Sequence, residues 1–324
     1  MLSNDTFLAR IDSEIKEKKF YESMQHILTL IKRLAMRKKY DESLEILYKY
    51  SLIYLDEKEY ILAGELMDEY TKLCETYNIP LNTNIVNQLV TVFQFPYSHI
   101  TYSNTNNSGA NNVDTNTASP KSTNENTNNI IDKNKLEEIM LLYVKYMNRA
   151  ILYSKSVEEP NGNPILHRVL GVYYFHVNEY SKAQGNLIYS QDVELLLKVV
   201  NEWKAESDED DGDFFYLRAV LMLLAVGDVC NAKCFLYLLD YNLEDHELPI
   251  PIQFGNVLSE SCEIRNFELF KEACETYKDL IELDSEYPHL LNRIKEIYFK
   301  DNPDPFNSDN NFESTISNLL QSLI

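Results

Sequence analysis

The chain has 324 residues, a hydrophobic share of 44%, a net charge of −21 and a pI of about 4.7. The apolar share is sufficient for a packed core, whereas the strongly negative charge argues against a nucleic-acid partner. The five cysteines are odd in number and scattered along the chain, which argues against a disulfide framework and favours a reducing compartment.

Residues 7–77 have the periodicity of three or four helices, and a short pattern recurs within them. A bulky residue is followed three positions later by a small one and four positions after that by an apolar one. The first three copies begin 20 residues apart, which fits one helix and its turn, so the pattern predicts helices stacked as in a solenoid. The copies are Phe20, Ser23 and Ile27; Tyr40, Ser43 and Leu47; Tyr60, Ala63 and Met67; Tyr180, Ala183 and Leu187; and Val229, Ala232 and Leu236.

Charge is distributed unevenly along the chain. Residues 1–50 contain ten Lys/Arg and eight Asp/Glu, a local charge of +2, so the remainder carries −23. The basic residues cluster in the segment KRLAMRKK at 32–39. Two interpretations are open, a docking face for a partner and an ordinary solvated helix surface.

A polar segment separates two helical regions. Residues 98–129 are dominated by Asn, Thr and Ser and have little to bury, which predicts a disordered insertion. Helical periodicity resumes near Leu136. We therefore divide the chain into N-terminal repeats (1–97), the insertion (98–133), C-terminal repeats (134–300) and a tail (301–324).

The most specific stretch is 162–190, which predicts two short helices folded back on each other. Pro164 suits an early helix position, and the chain can turn at Asn178 and Glu179. Gly171 and Ala183 would let the two helix backbones approach closely. The stretch follows the tetratricopeptide spacing, with His167 in place of its Trp, at Leu170, Gly171, Tyr174, Ala183 and Leu187.

Two further helices are predicted after this hairpin. One covers 193–203, and the other covers the apolar run 214–226, which is too short to span a bilayer and is expected to be buried on most sides. Carboxylates of the acidic run 207–213 would favour the N-terminus of the second helix through its dipole. A metal site is the alternative interpretation of that run.

Residues 240–253 have a different character. Pro249 and Pro251 exclude a helix interior, and Leu248, Ile250 and Ile252 alternate. These features predict an extended arm or a short β-hairpin that offers its apolar side chains to a partner. The alternative is a simple helix–helix connection that folds onto its own repeats. Helices are expected over 254–300.

The tail ends in STISNLLQSLI, and its apolar residues fall on one helical face. They are Ile316, Leu319, Leu320 and Leu323. The segment is either a frayed terminus or a short docking helix.

No catalytic constellation is found in the sequence. It contains neither a glycine-rich phosphate loop nor an H-E-x-x-H motif, and its six His are dispersed. Cys230 and Cys234, in CNAKC, share a helix face without a second ligand pair nearby, so we interpret them as semi-buried core cysteines rather than a zinc site. We expect no enzymatic activity and no cofactor.

Three stretches carry a family resemblance. They are FLARI (7–11) with KKFYESMQHILTLIKRLAMRKKYDESLEIL (18–47), GNPILHRVLGVYYFHVNEYSKAQGNLIYS (162–190), and EYPHLLNRIKEIYF (286–299) with the terminal NLLQSLI. Together they resemble the Golgi to ER traffic protein four family, the helical adaptor of the guided entry of tail-anchored proteins pathway.

The resemblance implies a cytosolic, right-handed α-solenoid of tetratricopeptide-like hairpins without enzymatic activity or stable membrane insertion. The family's N-terminal half docks the pathway's targeting ATPase. Its C-terminal half holds the N-terminal segment of a ubiquitin-like protein, which links an upstream tetratricopeptide co-chaperone to the ATPase. A generic repeat scaffold or co-chaperone is the main alternative, and an enzyme is the third.

The resemblance also assigns residues. Arg10 and Arg33 match basic ATPase-binding positions of the family, and Glu65 matches an acidic one. Arg37 and Lys38 extend the basic patch in this chain, so we assign all five residues to the ATPase. A second acidic position of the family reads Lys72 in this chain. The arm at 240–253 falls where the family places its partner-gripping loop, which assigns to the ubiquitin-like partner the residues Leu248, Pro249, Ile250, Pro251 and Ile252.

Overall fold

The computed structural model describes residues 4–107, 133–156, 159–207, 212–241 and 248–300. Every regular element in these ranges is a helix, which confirms the all-α class. The helices are α1 (Asn4–Lys16), α2 (Phe20–Met36), α3 (Tyr40–Asp56), α4 (Tyr60–Thr76), α5 (Thr83–Asn107), α6 (Lys133–Ser154), α7 (Pro164–His176), α8 (Tyr180–Leu187), α9 (Val193–Ala205), α10 (Gly212–Ala225), α11 (Val229–Leu238), α12 (Ile250–Glu263), α13 (Phe267–Thr276), α14 (Lys278–Ile281) and α15 (Tyr287–Tyr298).

The chain divides into two compact units, Met1–Leu170 and Gly171–Ile324. The predicted insertion is only partly described. Helix α5 continues through residues 98–107, which we expected to belong to the insertion, and 108–132 lies outside the described residues. None of the described helices is long and apolar enough to cross a bilayer.

The recurring sequence pattern begins at the first residue of a helix in each of its five copies. Helices α2, α3 and α4 have 17 residues each and begin at the bulky residue of their copies, and α8 and α11 begin at the bulky residue of theirs. The small and apolar positions of all five copies are at most 1% exposed. Small side chains at a helix-facing position allow close packing, so the pattern sets how neighbouring helices stack.

The turns between these helices are also repeated. Lys18, Lys38 and Lys58 each adopt a left-handed backbone with φ between 58° and 64°. The backbone of the next residue forms hydrogen bonds with both of the helices that the turn connects. In the α2–α3 turn, the N–H of Lys39 donates to the carbonyl of Leu34 at 3.0 Å, and the Lys39 carbonyl accepts from the N–H of Ser43 at 3.2 Å. One residue thereby closes one helix and opens the next.

The core of the first unit is rich in tyrosine, and the hydroxyl groups are paired. Tyr143 on α6 is fully buried and donates to the carbonyl of Tyr60 on α4 at 2.9 Å. Gly64 allows this approach, because a β-carbon there would lie 2.7 Å from the Tyr143 ring. Tyr54 on α3 pairs with Ser23 on α2 at 2.8 Å. A buried hydroxyl is costly without such a partner, so these pairs fix the register between helices.

The core of the second unit surrounds α10, which packs against α9, α11, α12 and α15. This confirms the prediction of a helix buried on most sides over 214–226. Its one basic residue, Arg218, lies at the edge of the core, where Nη2 contacts a Glu286 carboxylate oxygen at 2.5 Å. Gly255 of α12 packs against Val220 of α10.

The predicted hairpin at 162–190 is confirmed by α7 and α8. Pro164 is the first residue of α7, Asn178 forms the turn with φ of 61°, and Tyr180 begins α8. A β-carbon at Gly171 would lie 2.6 Å from the side chain of Leu187. The close approach that the spacing predicted is therefore present.

The prediction of an extended arm is wrong for residues 250–253, which form the first turn of α12, and 242–247 lies outside the described residues. Pro249 is the N-cap residue, with φ of −55° and ψ of 138°, and Pro251 lies in the first turn. The N–H groups of a first turn have no intrahelical partner, so proline costs nothing there. The two prolines begin a helix rather than prevent one.

Candidate partner-binding surfaces

The four predicted basic residues, Arg10, Arg33, Arg37 and Lys38, are all exposed on α1, α2 and the turn after α2. We call them the N-terminal basic surface. Arg10 is 2.9 Å from Glu14, and the other carboxylate oxygen of Glu14 is 2.7 Å from His26 Nδ1 on α2. Burial alone would raise the pKa of Glu14, but the hydrogen bonds from His26 and Arg10 hold it below its usual value. Glu14 therefore stays charged and holds the Arg10 side chain close to the interface between α1 and α2.

Aromatic contact positions the second arginine. The guanidinium of Arg33 lies 5.0 Å from the centre of the Phe7 ring, a cation–π contact between α2 and α1. No carboxylate of a described residue lies within 4.0 Å of the cationic groups of Lys32, Arg33 or Lys38. These charges are consequently available to an acidic partner.

The C-terminal end of α2 combines charge with apolar surface. Met36 is 84% exposed, and it precedes Arg37, Lys38 and Lys39. Lys39 is held by Glu42 at 2.7 Å, and that hydrogen bond lowers the pKa of Glu42. A single exposed apolar side chain is ordinary on a protein surface, so Met36 adds apolar area beside these cations and does not mark a binding site by itself.

Glu65, the fifth predicted position, is not brought together with the other four. It is exposed on α4, which packs against α3, α5 and α6, whereas the N-terminal basic surface lies on α1, α2 and the turn after it. Lys72, two turns further along α4, contacts Asp68 at 2.9 Å and Glu69 at 3.7 Å. The position that is acidic in the resembling family is thus part of an ion pair of this chain.

Sequence reasoning missed the network around Asp68. This carboxylate is 4% exposed and lies between α4 and α6, with Lys72, Lys145 and Arg149 at 2.9, 3.2 and 3.3 Å. Burial by itself would raise the pKa of Asp68, but hydrogen bonds and charge from Lys72 and Lys145 hold it below its usual value. The i,i+4 spacing of Lys145 and Arg149 was a signal in the sequence, but their shared partner lies 77 residues from Lys145.

The residues assigned to the ubiquitin-like partner have unequal exposure. Leu248 and Ile252 are 8% and 0% exposed and belong to the core of the second unit, and Pro251 is also buried. Ile250 is 58% exposed, and Pro249 is half-buried. The alternation seen in the sequence therefore does not place the three apolar residues on one open face. Ile250 and Pro249 are the members that a partner can reach.

The interpretation of Cys230 and Cys234 as semi-buried core residues is wrong, because both are exposed on α11. Cys74, Cys262 and Cys274 are buried instead, and burial raises the pKa of each thiol to about 12. Within the described ranges, no group of three or more His, Cys, Asp or Glu side chains is arranged to hold a metal ion. Cys234 lines a cleft between α11 and α12 with Lys233, Leu236, Tyr237 and Asn256.

Comparison with known proteins points to one family. The model of the family described as Golgi to ER traffic protein 4 matches residues 37–320. The chain is 20% identical over 321 residues to a Golgi to ER traffic protein 4 homolog of Oryzias latipes, covering 97% of this chain and 86% of that protein. It is 19% identical over 321 residues to the homolog of Homo sapiens, covering 97% and 85%.

The fold has a solved counterpart. The crystal structure of C. therm. Get4 superimposes with a TM-score of 0.68 and 17% sequence identity, covering 98% of this chain and 95% of that one. This similarity extends over both units and agrees with the all-helical architecture.

Proposed function

The chain belongs to the Golgi to ER traffic protein 4 family, since the family model matches most of it, and on this premise we propose that it is a cytosolic adaptor for the delivery of tail-anchored membrane proteins. In this role the first unit binds the targeting ATPase of the pathway. The second unit binds a ubiquitin-like protein, which brings a tetratricopeptide co-chaperone to the same complex. The adaptor acts by holding partners together and has no enzymatic activity of its own.

The observation that supports this proposal is the N-terminal basic surface. The whole chain carries a charge of −21, yet Arg33 on α2 and Lys38 in the turn after α2 are exposed without a carboxylate of a described residue within 4.0 Å. The charges of Arg33 and Lys38, together with the exposed side chain of Met36, suit a partner with an acidic, partly apolar face. Charge complementarity of this kind raises the rate of association and makes it sensitive to salt.

A charge reversal at Lys38 tests the ATPase interface, and the same reversal at Lys58 is a matched control. Lys38 and Lys58 are both exposed and left-handed, but they lie at opposite ends of α3, about 25 Å apart for a helix of 17 residues. We expect Lys38→Glu to slow association with the ATPase on the order of tenfold at low salt, and Lys58→Glu to have little effect. Equal effects of the two reversals would contradict the assignment of this surface.

The second surface is tested by neighbouring isoleucines. Ile250→Asp places a charge at an exposed position, so the chain should remain helical and lose the ubiquitin-like partner. Ile252→Asp places the charge in the core, so the second unit should be strongly destabilised whether or not a partner binds there. Co-purification with the ubiquitin-like protein and circular dichroism separate the two effects. Retained binding by Ile250→Asp would remove this segment from the interface.

A further inference from the structure

The described residues leave apolar surface uncovered in the cleft between α11 and α12. The cleft has a volume of about 300 Å³ and is lined by Lys233, Cys234, Leu236, Tyr237 and Asn256. Tyr237 is 81% exposed, and Leu238, which follows it, is 38% exposed. A tyrosine exposed to this extent beside an apolar cleft is a feature of binding surfaces. A segment or partner with an apolar face would therefore fit this cleft.

The described chain ends close to this cleft. Ile297, in the last turn of α15, lies 3.6 Å from where a β-carbon on Gly227 would be, and Gly227 lies two residues before α11. The carbonyl of the neighbouring Tyr298 accepts a hydrogen bond from Arg265 at 3.4 Å, which holds the end of α15 against the start of α13. The cleft begins four residues into α11, about 6 Å along the helix axis.

The segment that follows has the required length and composition. Residues 301–315 can extend up to about 50 Å, which is more than the distance from the end of α15 to the cleft requires. Residues 314–324 carry no charged side chain. Four of their five apolar residues have the helical spacing i, i+3, i+4 and i+7; these are Ile316, Leu319, Leu320 and Leu323.

We propose that residues 314–324 bind in the α11–α12 cleft of the same molecule as an amphipathic helix. The apolar face of an eleven-residue helix about 16 Å long would match α11, which has ten residues. The segment has no charged side chain, and Lys233 of the cleft is already paired with Glu263, so closing the contact desolvates few charged side chains. The tail thereby covers Tyr237 and Cys234 when no other molecule does. This inference does not depend on the proposed adaptor function.

The cysteines of α11 provide the test. Cys234 lines the cleft and Cys230 does not, although both are exposed thiols of one helix. In the full chain, we expect N-ethylmaleimide to modify Cys234 more slowly than Cys230, as followed by peptide mass spectrometry. The double variant Leu319→Asp with Leu320→Asp should raise the rate at Cys234 by about tenfold and leave Cys230 unchanged, because it removes the covered state.

A control variant carries the same added charge on the other face of the segment. Asn318→Asp with Gln321→Asp should leave both rates unchanged. If the first double variant no longer unfolds cooperatively in urea, the single change Leu323→Asp takes its place. Equal rates at Cys234 in the full chain and the leucine variants would overturn the proposal. Protection that increases with protein concentration would also overturn it, because a second copy would then cover the cleft.

Discussion

Gly171 provides the sharpest test of the close helix packing in the α7–α8 hairpin. In Gly171→Ala, the new β-carbon would lie 2.6 Å from Cγ and Cδ2 of Leu187, a side chain that is 1% exposed and therefore cannot move out into solvent without leaving the core. Overpacking of this kind costs about 1–3 kcal/mol, while the change from glycine to alanine in a helix interior returns about 1 kcal/mol. We therefore expect a net destabilisation of about 0–2 kcal/mol.

Gly185, on the second helix of the same hairpin, is the matched control. A β-carbon there would meet no atom within 4 Å, so Gly185→Ala should gain the helix propensity alone and stabilise by up to about 1 kcal/mol. The difference between the two variants then measures the clash, about 1–3 kcal/mol. Urea unfolding followed by circular dichroism gives both values, provided that the slope is unchanged.

A double variant identifies the clashing atom. Leu187→Ala removes the side chain that the new β-carbon meets, so Gly171→Ala should become as favourable in that background as Gly185→Ala is in the wild type. The reasoning would be refuted if Gly171→Ala and Gly185→Ala had the same effect in the wild-type chain. It would also fail if the penalty persisted without Leu187.

Two further predictions concern buried groups. Asp68→Asn should destabilise the first unit by about 1–3 kcal/mol at pH 7, because Lys72, Lys145 and Arg149 lose their shared carboxylate. The pKa of Asp68 is lowered in the folded state, so its stabilising contribution is present above about pH 4 and is lost as the pH falls through the folded pKa. Denaturation of the wild type and of Asp68→Asn at pH 7 and pH 2.5 should therefore show that their free energies of unfolding differ less in acid. A difference that is the same at both pH values would contradict this prediction. Cys74, Cys262 and Cys274, whose pKa burial raises to about 12, should react with a thiol reagent only after unfolding in urea, and rapid reaction of all five thiols in the native chain would contradict their burial.

The helical fold could be predicted because local patterns determine it. The spacing from Phe20 to Tyr60 and the small residues three positions into each copy place the helix starts and the buried faces, and both depend on residues close in sequence. The start of α12 was missed for a local reason as well. Proline was weighed as a helix breaker at 249 and 251, although its position in a first turn is compatible with a helix.

The candidate surfaces were less predictable, because exposure depends on residues far away in sequence. Ile250 and Ile252 are alike in sequence, and only the packing of α12 against α10 decides that the second is buried. The cysteines of α11 were assigned to the core because they have no second ligand pair nearby and cysteine is usually buried, but the residues that α11 buries are Ala232, Phe235 and Leu236. Asp68 acquires its role from α6, which follows a long polar segment.

The equal length of the helix-and-turn segments constrains how the first unit can change in size. Each segment from Phe20 to Glu59 adds one helix and reverses the direction of the chain after twenty residues. An insertion of one such segment between α4 and α5 would reverse the direction of α5 and α6 relative to α4 and separate Tyr143 on α6 from the carbonyl of Tyr60 on α4. Duplication of a forty-residue pair restores the direction. The packing of this unit therefore allows it to lengthen by pairs of helices but not by single helices.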